Sequence, residues 1–307
     1  MDRYLCYYME EVSDVSTYKY DLFISGFDGC ERTLSTFDKV KAKIKKWLIF
    51  PQYKVLKEDI IANSYVSPLT DEADYINGIP ELNDLTTKSR VCIDSTGIIT
   101  PHLIYLIKKL KLLGVRKIDI LYSEPNNYVK GEDTLFTRGV TQPKIVPGYS
   151  SVSMEIGGDD VLIVCAGYDK TLIETVIRDK NNTAHRFFIV GFPSMQADMY
   201  QQNLIQLHKT KNTIGSDNVH YCKAPAYDPF VTAQEITNII ERKLNNYRIS
   251  NIFFSPLSTK AHAIAMALVY LYNDNKYPIS IIYPYCEEYQ MRVAIGIKRT
   301  WKYTIEF

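Results

Sequence analysis

Apolar residues along this chain come in short blocks, and the blocks alternate with amphipathic stretches. Runs at 20–25, 46–51, 90–94 and 117–123 are short, apolar and rich in β-branched or aromatic residues. Runs of this kind predict strands buried on both faces. Similar runs resume at 160–165, 186–191, 218–222, 250–255 and 278–283, and a last one at 301–307 closes the chain. Between them the apolar spacing becomes helical. Leu34, Phe37, Val40 and Ile44 predict a helix over 33–46. Thr100 as N-cap, Pro101 at the first helical position and Gly114 as a stop predict another over 101–113. Further helices are predicted near 169–178, 195–208, 231–246 and 260–273. Residues 1–17 read as a polar lead-in. This alternation predicts an α/β protein with parallel sheets covered by helices on both faces.

The pattern also repeats. Asp21-Leu-Phe-Ile-Ser-Gly-Phe-Asp28 reappears as Leu162-Ile-Val-Cys-Ala-Gly-Tyr-Asp169, and Trp47 to Phe50 falls on Phe188 to Gly191 at the same offset. Val91 to Tyr128 runs without a gap against Ile252 to Tyr289. Two readings of the repeat stand: an internal duplication, or the likeness that any two βα units share. The expected fold is two Rossmann-like parallel-sheet lobes, with a pseudo-twofold relation if the repeat is a duplication. The cleft between such lobes would suit a nearly symmetric ligand. Prolines and glycines crowd 125–159, including Pro125, Gly131, Pro143, Pro147 and the Gly157-Gly158 pair. They predict a long connection holding at most one strand. The expected organisation is a first lobe over 1–128, a connection over 129–158 and a second lobe over 159–307. About twenty extra residues enter the second half around 210–230.

The net charge of +1 gives no global field that would favour extended nucleic acid or an anionic membrane. The basic stretches 39–46 and 108–111 read as solvated helix faces. No apolar run approaches the roughly 20 residues of a membrane span, and no secretory signal opens the chain. Six cysteines at 6, 30, 92, 165, 222 and 286 form no CxxC pair. Scattered thiols in apolar runs fit a reducing, cytoplasmic setting better than a disulfide framework. The 24 tyrosines offer stacking faces and hydroxyls to a planar polar ligand, although most will be ordinary packing.

In open parallel sheets ligands bind in the loops at the carboxyl ends of strands. That rule selects Ser25, Gly26, Asp28 and Arg32 after the first strand, then Asp94, Ser95 and Thr96 after the strand at 90–94. In the second half it selects Gly167, Asp169 and Lys170, then Ser255, Ser258, Thr259 and Lys260, with His262 one turn on. Small residues let backbone N–H groups approach a phosphate, hydroxyls and cations add donors, and a helix N-terminus adds partial positive charge. Each loop by itself is also explained as turns and caps; four at matched positions favour binding. The P-loop pattern GxxxxGK[ST], the dinucleotide pattern GxGxxG and the hydrolase pattern GxSxG are all missing, so no resident cofactor is expected. His220-Tyr-Cys222 could present two ligands on one strand face, but without a second pair no metal site is expected.

Asp94-Ser-Thr-Gly97, with Thr100-Pro101 opening a helix, resembles the strand-end motif of CARF domains. These are Rossmann-like sensors of cyclic oligonucleotides in prokaryotic antiviral systems. Ser255-Pro-Leu-Ser-Thr-Lys260, followed by an apolar helix, resembles the same element. The first copy has Ile99 where the second has Lys260, and the second lacks the paired glycines. Two such units in one chain are similar to the SAVED domain of antiphage defence. Tyr20-Asp-Leu-Phe-Ile-Ser25 also resembles the opening strand of TIR domains, but no candidate for that family's catalytic glutamate is identifiable.

The resemblance implies a sensor or regulatory subunit that binds a nucleotide or cyclic oligonucleotide and acts through a protein effector or self-association. Two alternatives stand beside it. One is a metal-independent phosphodiesterase of the ring-nuclease type, with Lys260, Arg32 and His262 as candidates; no catalytic residue is assigned. The other is an interaction scaffold that has lost its ligand.

Overall fold

The computed structural model describes Tyr4 and residues 7–128, 137–152, 157–210, 218–273 and 276–307. It is α/β throughout, with two large, mostly parallel sheets. Parts of the expected connection (129–136 and 153–156) and of the extra stretch around 210–230 (211–217) lie outside the described residues.

The first sheet is built from β1 (Tyr8–Val12), β2 (Lys19–Gly26), β3 (Lys41–Ile49), β4 (Ser64–Val66), β5 (Val91–Asp94), β6 (Lys117–Glu124) and a C-terminal strand, Arg299–Glu306. Helices α1 (Glu31–Lys39), α2 (Glu72–Asn77) and α3 (Thr100–Leu112) connect them. After β6 come β7 (Asn127–Tyr128) and β8 (Thr137–Ile145). The second sheet uses β8, β9 (Asp159–Ala166), β10 (His185–Gly191), β11 (Val219–Ala224), β12 (Ile249–Pro256) and β13 (Ile279–Tyr289). Its helices are α4 (Lys170–Asp179), α5 (Met199–Lys209), α6 (Pro229–Asn238), continued by a π turn over 239–243, and α7 (Lys260–Asn273). The last elements are β14 (Ala294–Ile295), paired with β7, and β15, the strand Arg299–Glu306.

Strand order in the first sheet is β1-β15-β6-β5-β2-β3-β4, and in the second β11-β10-β9-β12-β13-β8. Matching β2–β6 with β9–β13 in sequence gives the same order, 6-5-2-3-4 and 13-12-9-10-11. These strands are parallel in each sheet. A duplication would produce this likeness, with one departure. Ser25 pairs with Trp47, but Phe188, the residue matching Trp47, pairs with Val164 rather than with the matching Ala166. The first strand has therefore slid by two residues against its neighbour. An even slip keeps every side chain on its own face, so the core pattern survives it.

Several expected boundaries moved. The helix expected over 33–46 ends at Lys39, with Val40 at its C-cap. Residues 40–44 alternate apolar and Lys, a strand period, and β3 starts at Lys41. Ile44, expected on a helix face, is 43% exposed on this strand. The lead-in contains β1, and β4 and α2 occupy a stretch with no sequence assignment. The closing strand β15 runs antiparallel to β6 and so joins the first sheet. Residues 7–138 and 287–307 accordingly form one compact unit, and residues 139–286 with Tyr4 form the other.

Among the described residues, no helix is long and apolar enough to cross a membrane. Helix α7 is buried along nearly its whole length, with Ala261 to Leu271 all below a tenth exposed. An all-round apolar helix of this kind belongs in a core.

Candidate functional site

Each sheet has a switch point where the chain reverses its direction of travel, between β2 and β5 in the first and between β9 and β12 in the second. A ligand crevice in this topology lies there, outside the carboxyl ends. In both lobes the two loops at the switch point touch through glycine. A Cβ on Gly26 or on Gly97 would be driven into the other glycine's backbone, and one on Gly167 into the carbonyl oxygen of Leu257. Only hydrogen fits at these crossings, which is the physical reason for the glycine in the repeated Gly-Phe/Tyr-Asp turn.

In the first lobe the candidate side chains turn inward. Ser25 Oγ donates to Asp94 Oδ2 at 2.8 Å, and the Thr96 amide donates to Asp94 Oδ1 at 3.0 Å. Ser95 Oγ donates to the Leu121 carbonyl, and Thr96 Oγ1 accepts from the Ser123 amide. Asp28 accepts from the Cys30 amide at 2.9 Å and from Thr33 Oγ1 at 2.7 Å, so it braces the turn into α1. Tyr53 Oη closes over the loop by donating to the Gly97 carbonyl. Arg32 is buried and donates from Nη1 to the Ser123 carbonyl at 2.8 Å.

Burial pushes the Asp94 carboxyl up to about 6, against the hydrogen bonds from Thr96 and Ser25 that favour its charge. The folded protein therefore holds this proton more tightly than the unfolded chain does. Stability from this group falls as pH rises from about 4 to about 6. Asp94→Asn keeps the shape and removes the titration. Relative to the variant, the wild type should lose roughly 3 kcal/mol across that interval. Parallel urea titrations of both proteins at several pH values check this; a difference that does not change with pH refutes it.

In the second lobe the loops are more open. Asp169 caps α4 by accepting from the Thr171 and Leu172 amides. Lys170, the first residue of α4, is exposed and makes no hydrogen bond among the described residues. Ser255 is buried and donates to the Ile282 carbonyl, whereas Ser258 is half-buried. Thr259 Oγ1 donates to the Ala226 carbonyl at 2.7 Å and accepts from the His262 amide. Lys260, half-buried, is the first residue of α7. His262 is fully buried, with Nε2 at 3.1 Å from the Pro225 carbonyl. Burial lowers its pKa to about 4, so it is a neutral imidazole tying α7 to the 224–226 loop. Gly191 leaves room for that loop: a Cβ there would lie 2.9 Å from Ala226 Cβ.

Some site features were not anticipated from sequence. Glu124, at the carboxyl end of β6, is fully buried. It accepts from Arg299 Nε at 2.7 Å, Lys298 Nζ at 3.1 Å and Trp301 Nε1 at 3.3 Å. Those partners arrive on β15 and the residue before it, and nothing local in the sequence joins position 124 to 298–301. Asn203 is a second such residue; its Nδ2 donates to the Ala166 carbonyl at the end of β9. Among the described residues no group of three or more His, Cys, Asp or Glu could hold a metal ion. No protein-family model matches the sequence, and no curated protein is similar to it.

Proposed function

We propose that this protein is a sensor or regulatory subunit that binds a nucleotide or cyclic oligonucleotide at the switch point of its second lobe. One observation carries the reading. The two loops that meet there open helices α4 and α7, and each helix has a lysine as its first residue, Lys170 and Lys260. Neither helix has an acidic residue in its first turn. A cation at the positive end of a helix is unfavourable, and two at adjacent ends more so. The Asp169 carboxylate offsets part of this charge at the start of α4, and a phosphate bound between the two helix starts would engage both lysines. The Ser258 hydroxyl and those first-turn amides not already bonded to Asp169 or Thr259 supply further donors.

The resemblance of Ser255 to Lys260 to a CARF motif supports a cyclic-oligonucleotide ligand, a cytoplasmic setting and a role in antiphage defence. The signal would pass to a partner protein or through self-association.

A panel of linear and cyclic nucleotides, read by thermal shift and by product analysis, tests the proposal. A shift without turnover is expected. Turnover would make the protein an enzyme, and no response at all would leave a scaffold. With the responding ligand, Lys260→Ala should weaken binding about 10- to 100-fold and Lys170→Ala somewhat less, as expected for lost charge-assisted bonds to phosphate. Unchanged affinity in Lys260→Ala, with an intact circular dichroism spectrum, removes the site.

A further inference from the structure

The first lobe contains a buried guanidinium that makes no direct ion pair, although the Asp28 carboxylate nearby favours its charge. Arg32, on the first turn of α1, is 5% exposed. Its Nε is buried without a hydrogen-bond partner. No carboxylate among the described residues forms an ion pair with it. Asp28, the carboxylate that acts on it, spends its hydrogen bonds on Cys30 and Thr33 and not on the guanidinium. A guanidinium cannot escape by losing its proton. Buried charges are normally paired, and an unpaired one is costly.

Two further features converge on the same turn. Helix α1 has nine residues, and its N-cap, Cys30, makes no side-chain cap hydrogen bond. The one acidic residue of its first turn, Glu31, is exposed. The second feature is the segment 290–296, which returns across this turn. It is held by the β7–β14 ladder, Ala294 with Tyr128 and Ile295 with Asn127. Its Arg292 is exposed and lies over Gly29, where a Cβ would come within 3.1 Å of Arg292 Nε. Arg292 has no ion pair or hydrogen bond among the described residues. Gly29, at φ +67°, leaves the backbone of this turn uncovered by any side chain of its own.

We propose that the first lobe carries an anion site, in which the buried Arg32 guanidinium, the uncapped first turn of α1 and Arg292 of the 290–296 strap hold a phosphate group. The planar fork of an arginine matches two phosphate oxygens, and helix amides take a third. The strap closes over the group, so entry requires it to lift from β7. The site is separate from the lysines of the second lobe and stands or falls without them.

The test uses inorganic phosphate as the probe, in this whole 307-residue chain carrying Lys170→Ala/Lys260→Ala, so that the second lobe's lysines do not contribute. Thermal unfolding in about 10 mM phosphate is compared with sodium chloride at matched ionic strength, and affinity is measured by calorimetry. A phosphate-specific stabilisation is expected. Arg32→Met, similar in length and uncharged, should unfold in chloride at the same temperature as its parent or higher, and should lose the phosphate response. A merely structural Arg32 would give the opposite pattern, with lower stability and the response retained. Arg292→Ala, at an exposed position, should leave unfolding in chloride unchanged and weaken phosphate about 3- to 10-fold. The proposal is overturned by the absence of a phosphate-specific response in the parent, by a response that survives Arg32→Met, or by unchanged phosphate affinity in Arg292→Ala.

Discussion

Gly97→Ala and Gly167→Ala should each destabilise the protein by roughly 3 kcal/mol or more, a large cost for one methyl group. At both positions the added Cβ would meet a backbone carbonyl oxygen, that of Gly26 in one lobe and that of Leu257 in the other. A side chain in the way could rotate. A carbonyl anchored at the end of a buried strand can move only if the strand moves, and β2 and β12, which lead into Gly26 and Leu257, are interior strands of their sheets. Gly157→Ala is the control. Its φ of +80° strains any L residue, but nothing lies within 4 Å of its Cβ position. That variant should lose only about 1 kcal/mol, the cost of the left-handed backbone. Urea unfolding of the three variants decides. Losses at Gly97 and Gly167 no larger than at Gly157 would mean that the loops are not locked together at the switch points.

Glu124→Ala should cost about 3 kcal/mol and Glu124→Gln about half of that. The carboxylate is fully buried, and its removal takes the buried acceptor from Lys298, Arg299 and the Trp301 indole N–H, leaving Arg299 its longer contact to Glu11. The cations themselves are 42% and 27% exposed, so water recovers part of their solvation, which holds the loss near the lower end of the range for a broken buried pair. Glutamine keeps an acceptor for the arginine and the indole, and so keeps part of the network. The second readout is Trp301 fluorescence in a Trp47→Phe background, which should shift in Glu124→Ala as the indole loses its partner. An unfolding midpoint within error of wild type, with unchanged emission, would show that the cluster does not secure β15 to β6.

The elements most legible in the sequence are those whose side chains face one environment along their whole length. Helix α7 reads as a continuous apolar and alanine-rich run, and its bounds in the structure are those expected, 260–273. The strands β2, β5, β6, β9 and β12 read as apolar blocks because helices cover both faces. Legibility fails where two periods compete. Phe37, Val40 and Ile44 fit a helix, yet Val40, Ala42 and Ile44 fit a strand equally well. The C-cap at Val40 and the pairing of Lys41 and Ala42 with β2 settle the choice. Short edge elements such as β1 and β4 carry too few residues for any period to appear.

The candidate site divides along a similar line. The strand-end loops, their glycines and their helix starts are local features, and sequence alone was enough to determine where they fall. Local spacing sets the capping by Asp169 and the lysines that open α4 and α7. Which of these residues remain available was decided by contacts between segments distant in the chain. Asp94 is consumed by Ser25, and His262 is sealed under the 224–226 loop. Arg32 is buried against β6, and Glu124 meets cations more than 170 positions away. The chain's last strand crossing into the first sheet creates that cluster. Hydrogen-bond periodicity and turn chemistry act over a few residues, so sequence determined most of the buried strands and helices, their order and the strand-end loops. Burial and charge pairing depend on which elements become neighbours, so only the tertiary structure determined which polar groups are spent on the fold and which remain for a ligand.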